Sequence, residues 1–391
     1  MEMIKRYIKN NKGRFFTVLI FFIVFLVLFI WTNNNYNIYK STIAKVISLE
    51  NVYDKTEKGT NDIEEKYYIQ TMVVKVKNGQ YKGQQITLKN SYSSSMLMNE
   101  KYKKGDDLFI SINENSSELS GSIIGLKRDK FIVLLIGFFV IALVAVAGRF
   151  GIFTLCTLIA NIVAFIYFIK LYVSGKDFML INVLMIIFFS VVTLLILGGF
   201  SRKNIGAILS TLITTFLIFA LYKISLAYTG DLHYELMDYI AGPNDLENIF
   251  LSGVLVGCLG AVMDVSITVN SAVNELVNAA KSITLKQLIK SIREIGHDIM
   301  GTMINVLMFS YIGGSLSIVI LKIINGYNFQ RLIQFDISFE IIRFLVGSIG
   351  IVSAVPISAC VALLFFRKGM SKNDSVANNS IADVNDSSRR R

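Results

Sequence analysis

Proline is scarce in this chain: 391 residues contain two, Pro243 and Pro356. Long stretches can therefore run as uninterrupted helix, because proline is the strongest helix breaker. The three cysteines, Cys156, Cys258 and Cys360, fall inside apolar runs with no CxxC spacing. That excludes a disulfide framework or thiolate metal centre and predicts small core residues. Histidine is limited to His233 and His297, neither beside a Ser or Cys nucleophile motif. No HExxH, GxGD or GxSG occurs, so the chain is not expected to be an enzyme. His233 with Asp231, Glu235 and Asp238 has the residue types to hold a divalent ion, but acidic loops are usually only solvated. No metal and no cofactor is expected. Residues 224–248 lack Lys and Arg altogether, which bears on topology.

What is abundant is apolar: 53% of residues are hydrophobic, in recurring runs near membrane-spanning length. The chain reads as a polytopic α-helical membrane protein of eight spans. Residues 1–14 carry Lys5, Arg6, Lys9, Lys12 and Arg14, and Phe15 to Trp31 is an apolar run ending in an interfacial tryptophan. Trp-Thr-Asn-Asn-Asn offers no small-residue cleavage site, so a retained anchor is expected. Seven further spans are predicted at 131–148, 151–172, 178–199, 205–223, 249–277, 297–321 and 341–366. The net charge of +11 excludes little by itself, but its distribution argues against nucleic acid. Arg149, Arg202-Lys203, the 278–296 loop and the C-terminal tail gather the basic residues, whereas 224–248 carries only acids. The positive-inside rule then places both termini in the cytoplasm, in a multi-pass protein of a bacterial cytoplasmic membrane. Lys127-Arg128 and Lys130 break that rule, but they flank a long translocated domain, where it weakens. The 367–391 tail is basic and rich in Ser, Asn and Asp, which predicts disorder.

Residues 32–127 are polar and β-patterned, with strands expected at Thr42–Leu49, Tyr67–Lys77, Gln80–Lys89 and Asp107–Ile112. Lys77-Asn78-Gly79-Gln80 is a two-residue hairpin signal. A compact extracytoplasmic domain of the OB or small-barrel kind is expected, its lysines forming a solvated face. It contains no histidine or cysteine for a soft metal.

The rest is organised around Ile249 to Leu321. At about 100° per residue, Gly253, Gly257, Gly260, Asp264, Thr268, Ser271 and Glu275 fall in one narrow wedge of a helix. The opposite face (Leu255, Val262, Ile267, Val269, Val273) is apolar. The next span repeats the design, with Asp298, Thr302 and Asn305 on one stripe and Gly301 beside it. Polar residues in lipid must face protein or water, so the two stripes are expected to face each other, Asp264 opposite Thr302 or Asn305. Residue types alone also fit simple helix-to-helix hydrogen bonding. The glycines serve intramolecular packing or a homo-oligomer equally well. Between these spans, Thr284 and Gln287 form a capping box that predicts a short helix on the membrane surface. The last span carries Glu340 and Arg343 at its outer mouth, a Gly347/Gly350 face, and Pro356.

These motifs carry a resemblance. Gly260-Ala261-Val262-Met263-Asp264-Val265-Ser266, Ser271-Ala272 and Glu275-Leu276 resemble the YibE/F-like family of bacterial multi-spanning proteins. So do the runs from Ile295 to Leu307 and from Tyr311 to Leu316, then Glu340-Ile341-Ile342-Arg343, Gly347-Ser348-Ile349-Gly350 and Ala354-Val355-Pro356. The match covers most of 131–366. The family pattern often has a basic residue before the second aspartate; His297 stands there. The resemblance implies a permease without an assigned substrate.

Function follows from the carboxylates. No Lys or Arg lies at the depth of Asp264, roughly 22 Å below the outer start of its helix. Such a group is protonated, hydrogen-bonded, or neutralised by a transported cation. The expectation is a permease, ion- or proton-coupled, with Asp264 as the titrating carboxylate. Asp298, at a helix N-terminus, is a cap or cation attractant. Its partners would be membrane lipid and a small solute or cation. Two alternatives remain. One is a non-transporting envelope protein whose extracytoplasmic domain binds a partner. The other is an accessory transport core with the plan of RND-type or SecDF-type proteins.

Overall fold

The computed structural model describes residues 12–58, 64–96, 99–113, 120–229, 246–279 and 284–389. In chain order these form α1 (Lys12–Asn34), a 3-10 turn (Tyr36–Ile38), β1 (Thr42–Lys58), β2 (Glu64–Val76), β3 (Gln85–Ser93), β4 (Asp107–Asn113) and β5 (Ser120–Leu126). Then come α2 (Asp129–Ala147), α3 (Arg149–Val173), α4 (Phe178–Gly198), α5 (Arg202–Thr229), α6 (Leu246–Ala279) and α7 (Leu285–Ile324). Last are α8 (Phe329–Leu332), a π turn (Ile333–Ile337) and α9 (Ser338–Arg389). Among the described residues, eight helices are long and apolar enough to cross a membrane: α1 to α7 and α9.

The chain divides into two compact units, residues 1–152 and 153–391. In the first, five antiparallel strands take the order β3-β2-β1-β4-β5. Their side chains alternate with period two. Ala44 and Val46 of β1, Met72, Val74 and Val76 of β2, Ile86 and Leu88 of β3 and Leu108 and Ile110 of β4 form the core. The sheet is open: β3 and β5 approach, since a Cβ on Gly121 would lie 3.4 Å from Leu88, yet no strand pairing joins them among the described residues.

Three details differ from the sequence expectation. β5 was not anticipated, because Ser-Gly-Ser-Ile-Ile-Gly-Leu has weak strand propensity. Its Gly121 is sterically required, since a Cβ there would sit 2.6 Å from the Ser111 carbonyl. The β2–β3 connection spans residues 77–84 and is no two-residue hairpin. It turns on Gly79 and Gly83, with φ of 74° and 94°, and Asn78 points inward. Finally, β1 and β2 run on past the core as a two-stranded ribbon, paired out to Lys58↔Glu64.

The junction between sheet and helices is densely bonded. Asn78, 3% exposed, donates to the carbonyls of Tyr36 (2.9 Å), Tyr39 (3.2 Å) and Ser41 (3.0 Å) and accepts from the Ile43 amide (2.6 Å). Lys127 is also buried. It donates to the Thr32 carbonyl at 2.8 Å, pairs with Asp129 at 2.9 Å, and lies over the Tyr36 and Tyr39 rings. Lys127 is therefore a structural lysine, which removes it from the topology count. The Tyr36 hydroxyl donates to Asp107 at 3.2 Å; burial, then the Asp107 charge, push its pKa up to about 12. The second helix, expected in the bundle, packs on the anchor within this unit. A Cβ on Gly137 would strike the Phe25 ring, and Arg14 donates to the Ala145 and Val146 carbonyls. Those carbonyls belong to the last turn of α2 and have no partner within the helix.

The second unit is built around α6, whose Phe250, Leu251, Val254, Cys258, Val262, Val265, Val269 and Val273 are buried against neighbouring helices. Only Cys258 meets the expectation of a core cysteine; Cys156 and Cys360 are exposed on the apolar outer surface. The expected surface helix is instead the first part of α7, which runs unbroken for 40 residues. Its capping box is present, with Thr284 and Gln287 satisfying each other's amides. Of its apolar face, Leu288 and Ile292 are buried in the unit, while Leu285 and Ile289 are exposed. α9 likewise continues as helix through 367–389, where composition predicts disorder. Extending an existing helix needs no new nucleus.

Candidate functional site

The polar stripe of α6 forms as the spacing predicts; Gly253 and Gly257 meet Arg343 and Tyr311 within the unit, and Gly260 looks onto open space. Gly253, Gly257, Gly260, Asp264, Thr268 and Glu275 are exposed and Ser271 is half-buried, while the valine-rich face fills the core. α7 behaves the same way. Asp298, Gly301, Thr302 and Asn305 are exposed, and the opposite face, with Gly296 and Leu307, packs inward. Among the described residues no hydrogen bond joins Asp264 to Thr302 or Asn305, the partners expected for it. α7 meets α9 where Gly296 lies under Val355, and meets α6 at the other end, where Gly257 lies under Tyr311. Along α7, Gly296 and Leu307 are buried, whereas Phe309, Leu316 and Ile320 are exposed along with the hydroxyls and amides.

The stripe residues satisfy themselves locally. Thr268 donates to the Asp264 carbonyl at 2.7 Å, Thr302 to the Ile299 carbonyl at 2.9 Å, and Asn305 to the Gly301 carbonyl at 2.8 Å. These are the back-bonds that short polar side chains make within a helix. Carboxylates cannot donate, and the Asp264 carboxylate has no hydrogen bond or ion pair among the described residues. It stands near the middle of α6, where a charge facing hydrocarbon costs roughly 2.5–3.5 kcal/mol on insertion scales.

The glycines divide by role. A Cβ on Gly257 would come within 2.2 Å of the Tyr311 hydroxyl, one on Gly347 within 2.6 Å of Leu307, and one on Gly350 within 2.3 Å of Ile218. These three permit close helix approach. Gly253 makes only ordinary contact with Arg343 at 3.9 Å, and Gly260 and Gly301 look onto open space, so packing inside the chain does not explain them. Pro356 sits within α9 and lines, with Arg293 and His297, an open cavity of about 460 Å³ between α7 and α9. Arg343 pairs with Glu340 at 2.7 Å and stacks on Phe250 at 4.8 Å; it does not reach Asp264.

A buried polar seam went unnoticed in the sequence. Ser266 and Asn270 of α6, Ser210 of α5 and Ser358 of α9 are all fully buried. Asn270 donates to the Ser210 hydroxyl at 3.3 Å and to the Ser266 carbonyl at 2.8 Å, and Ser358 donates to the Ser266 hydroxyl at 3.3 Å. Gly206 makes room, since a Cβ there would lie 2.4 Å from the Asn270 amide oxygen. The signal was available: Ser266 and Asn270 are four apart within α6, and α5 carries Ser210-Thr211 and Thr214-Thr215. Asp231, His233, Glu235 and Asp238 lie outside the described residues, as does Lys281. Among the described residues no cluster of His, Cys, Asp or Glu could hold a metal.

A sheet domain inserted after the first of eight apolar helices, and a polar-striped helix among the rest, define a multi-pass helical membrane protein. The profile of the YibE/F-like proteins matches residues 135–368, and that of the YibE/F family N-terminal domain matches residues 37–126. The chain belongs to the YibE/F-like family. No curated protein and no solved structure matches it.

Proposed function

We propose that the protein is a membrane permease, coupled to a proton or another cation through Asp264. The observation that carries this reading is an unpartnered carboxylate midway along a membrane-length helix, on a stripe of glycine and hydroxyl residues. Such a group needs water, a cation or another protein surface beside it. Thr268, Ser271 and Glu275 continue the polar path along α6, and Asp298, Thr302 and Asn305 supply a second one on α7. Because Asp264, Thr268 and Glu275 are exposed, a second copy of the chain is the simplest way to enclose them, with Gly260 and Gly301 allowing close approach. Asp298, expected at a helix N-terminus, lies inside α7, which begins at Leu285 with Thr284 as its cap, so it caps nothing; its role in this reading is that of an exposed charge that attracts the cation. No bond-making chemistry is assigned, and in this reading both termini lie in the cytoplasm, which the basic loops support.

Access to water tests this reading. In a variant lacking Cys156, Cys258 and Cys360, Asp264→Cys should react with a membrane-impermeant thiol reagent in intact vesicles. Reaction only with a lipid-soluble reagent would place the group against lipid and remove the basis for transport. A second reading, partner binding by the sheet domain, is favoured by the β1–β2 ribbon. At its base Val52 and Tyr53 are more than half exposed, Tyr53 meets Tyr68 edge-on, and Tyr68 stacks on Tyr92 of β3.

A further inference from the structure

The second unit contains a lateral cavity that the proposed permease path does not use. It measures about 310 Å³ and lies among α4, α5 and α6, with Val183, Ile187 and Phe216 exposed at its rim. Its wall is apolar except for Thr215 and Asn182. Asn182 is 3% exposed. Its amide oxygen accepts from the Ser252 hydroxyl at 2.5 Å, but its amide nitrogen has no partner among the described residues. A buried donor left unmade is costly, so an acceptor entering the cavity would gain a hydrogen bond there. Immediately beyond, sharing Met179, is a polar recess formed by Lys176, Asp177, Tyr172 and Asn248. Asp177 is engaged in capping α4, accepting from the Leu180 amide at 3.0 Å. Lys176 is exposed and has no ion pair among the described residues.

Depth makes these features complementary to one kind of molecule. Asn182 lies four residues inside the first residue of α4, or about 6 Å below the helix end. The headgroup layer of a bilayer is roughly 5–7 Å thick on each side. The 21 residues of α4 span about 31 Å, close to the hydrocarbon thickness, so Lys176 lies in the headgroup layer, the Asn182 amide just inside the hydrocarbon boundary below the glycerol esters, and the cavity beside the upper acyl chain. We propose that this cleft binds one phospholipid, its phosphate on Lys176, an ester carbonyl on the Asn182 amide, and an acyl chain in the cavity. A free fatty acid would present a carboxylate at the ester level and leave Lys176 empty. A bulk lipid would use none of the three.

The experiment uses the full chain in nanodiscs containing phosphatidylglycerol with mid-chain bromines, which quench nearby tryptophan. With the native Trp31 changed to Phe, one reporter is Phe216→Trp at the cleft rim. Another is Phe309→Trp, equally exposed on α7 and not among the residues lining this cleft. The cleft reporter should be half-quenched at a several-fold lower fraction of brominated lipid than the α7 reporter. Lys176→Gln should shift the cleft curve by about fivefold towards the α7 one, the effect of one basic residue near a lipid phosphate. Asn182→Leu should shift it further, with circular dichroism and gel filtration confirming the fold. Identical curves at the two reporters overturn the proposal. So does a cleft curve indifferent to Lys176→Gln, or a brominated fatty acid that competes as well as the phospholipid.

Discussion

The junction beneath the sheet and the outer stripe of α6 use similar residues in opposite ways. At the junction the central polar side chains have mates, although the Asn35 amide oxygen has none: Asn78 makes four bonds, Lys127 has a carbonyl and a carboxylate, and Tyr36 has Asp107. On the α6 stripe Thr268 bonds back to its own helix, and the Asp264 carboxylate has no partner among the described residues. The first arrangement holds one geometry. The second is costly in a membrane-length helix, and so points to something outside the chain that completes it. The same residue types thus read as architecture or as function according to whether their partners are internal.

Breaking the junction should have the largest effect. Asn78→Leu leaves the Ile43 amide and three carbonyls to find other partners. It should destabilise the sheet domain by on the order of 3–5 kcal/mol, seen as a lower denaturation midpoint or faster proteolysis. Midway in size is Gly257→Ala, whose new methyl collides with the Tyr311 hydroxyl; about 1–3 kcal/mol should be lost in a thermal melt. Tyr36→Phe should cost about 1 kcal/mol near neutral pH by removing the bond to Asp107. The folded state raises this phenol's pKa, so its contribution is fully present below 10.0 and fades as pH climbs to about 12. The gap between wild type and Tyr36→Phe should therefore close over that window. Gly260→Ala, facing open space, should change monomer stability by less than about 0.5 kcal/mol, and a larger loss in membranes would reveal a neighbour on that face.

The eight spans were legible because apolar length is a property of the sequence alone. The wedge from Gly253 to Glu275 was legible because helical periodicity fixes which residues share a face. Which way that face turns was not. It depends on how α7 docks through Gly296 on Val355 and Gly257 on Tyr311, contacts between residues far apart in sequence. The buried seam of Ser266, Asn270, Ser210 and Ser358 was missed for a related reason, since isolated hydroxyls in apolar helices look alike whether they bond within or between helices. In the sheet, Asn78 was read from its turn-forming neighbour Gly79. Its side chain instead serves the Tyr36–Ser41 segment, which local sequence does not announce.

The most direct test of Asp264 as a functional rather than architectural carboxylate pairs two readings on one protein. Asp264→Asn keeps the size and removes the charge and its titration. Purified and reconstituted in liposomes, it should melt within about 0.5 kcal/mol of wild type, as expected for a side chain with no internal partner. Proton or cation flux driven by an imposed gradient should fall to the level of protein-free vesicles. Normal flux from Asp264→Asn, or a loss of flux explained by a lost fold, would contradict the account.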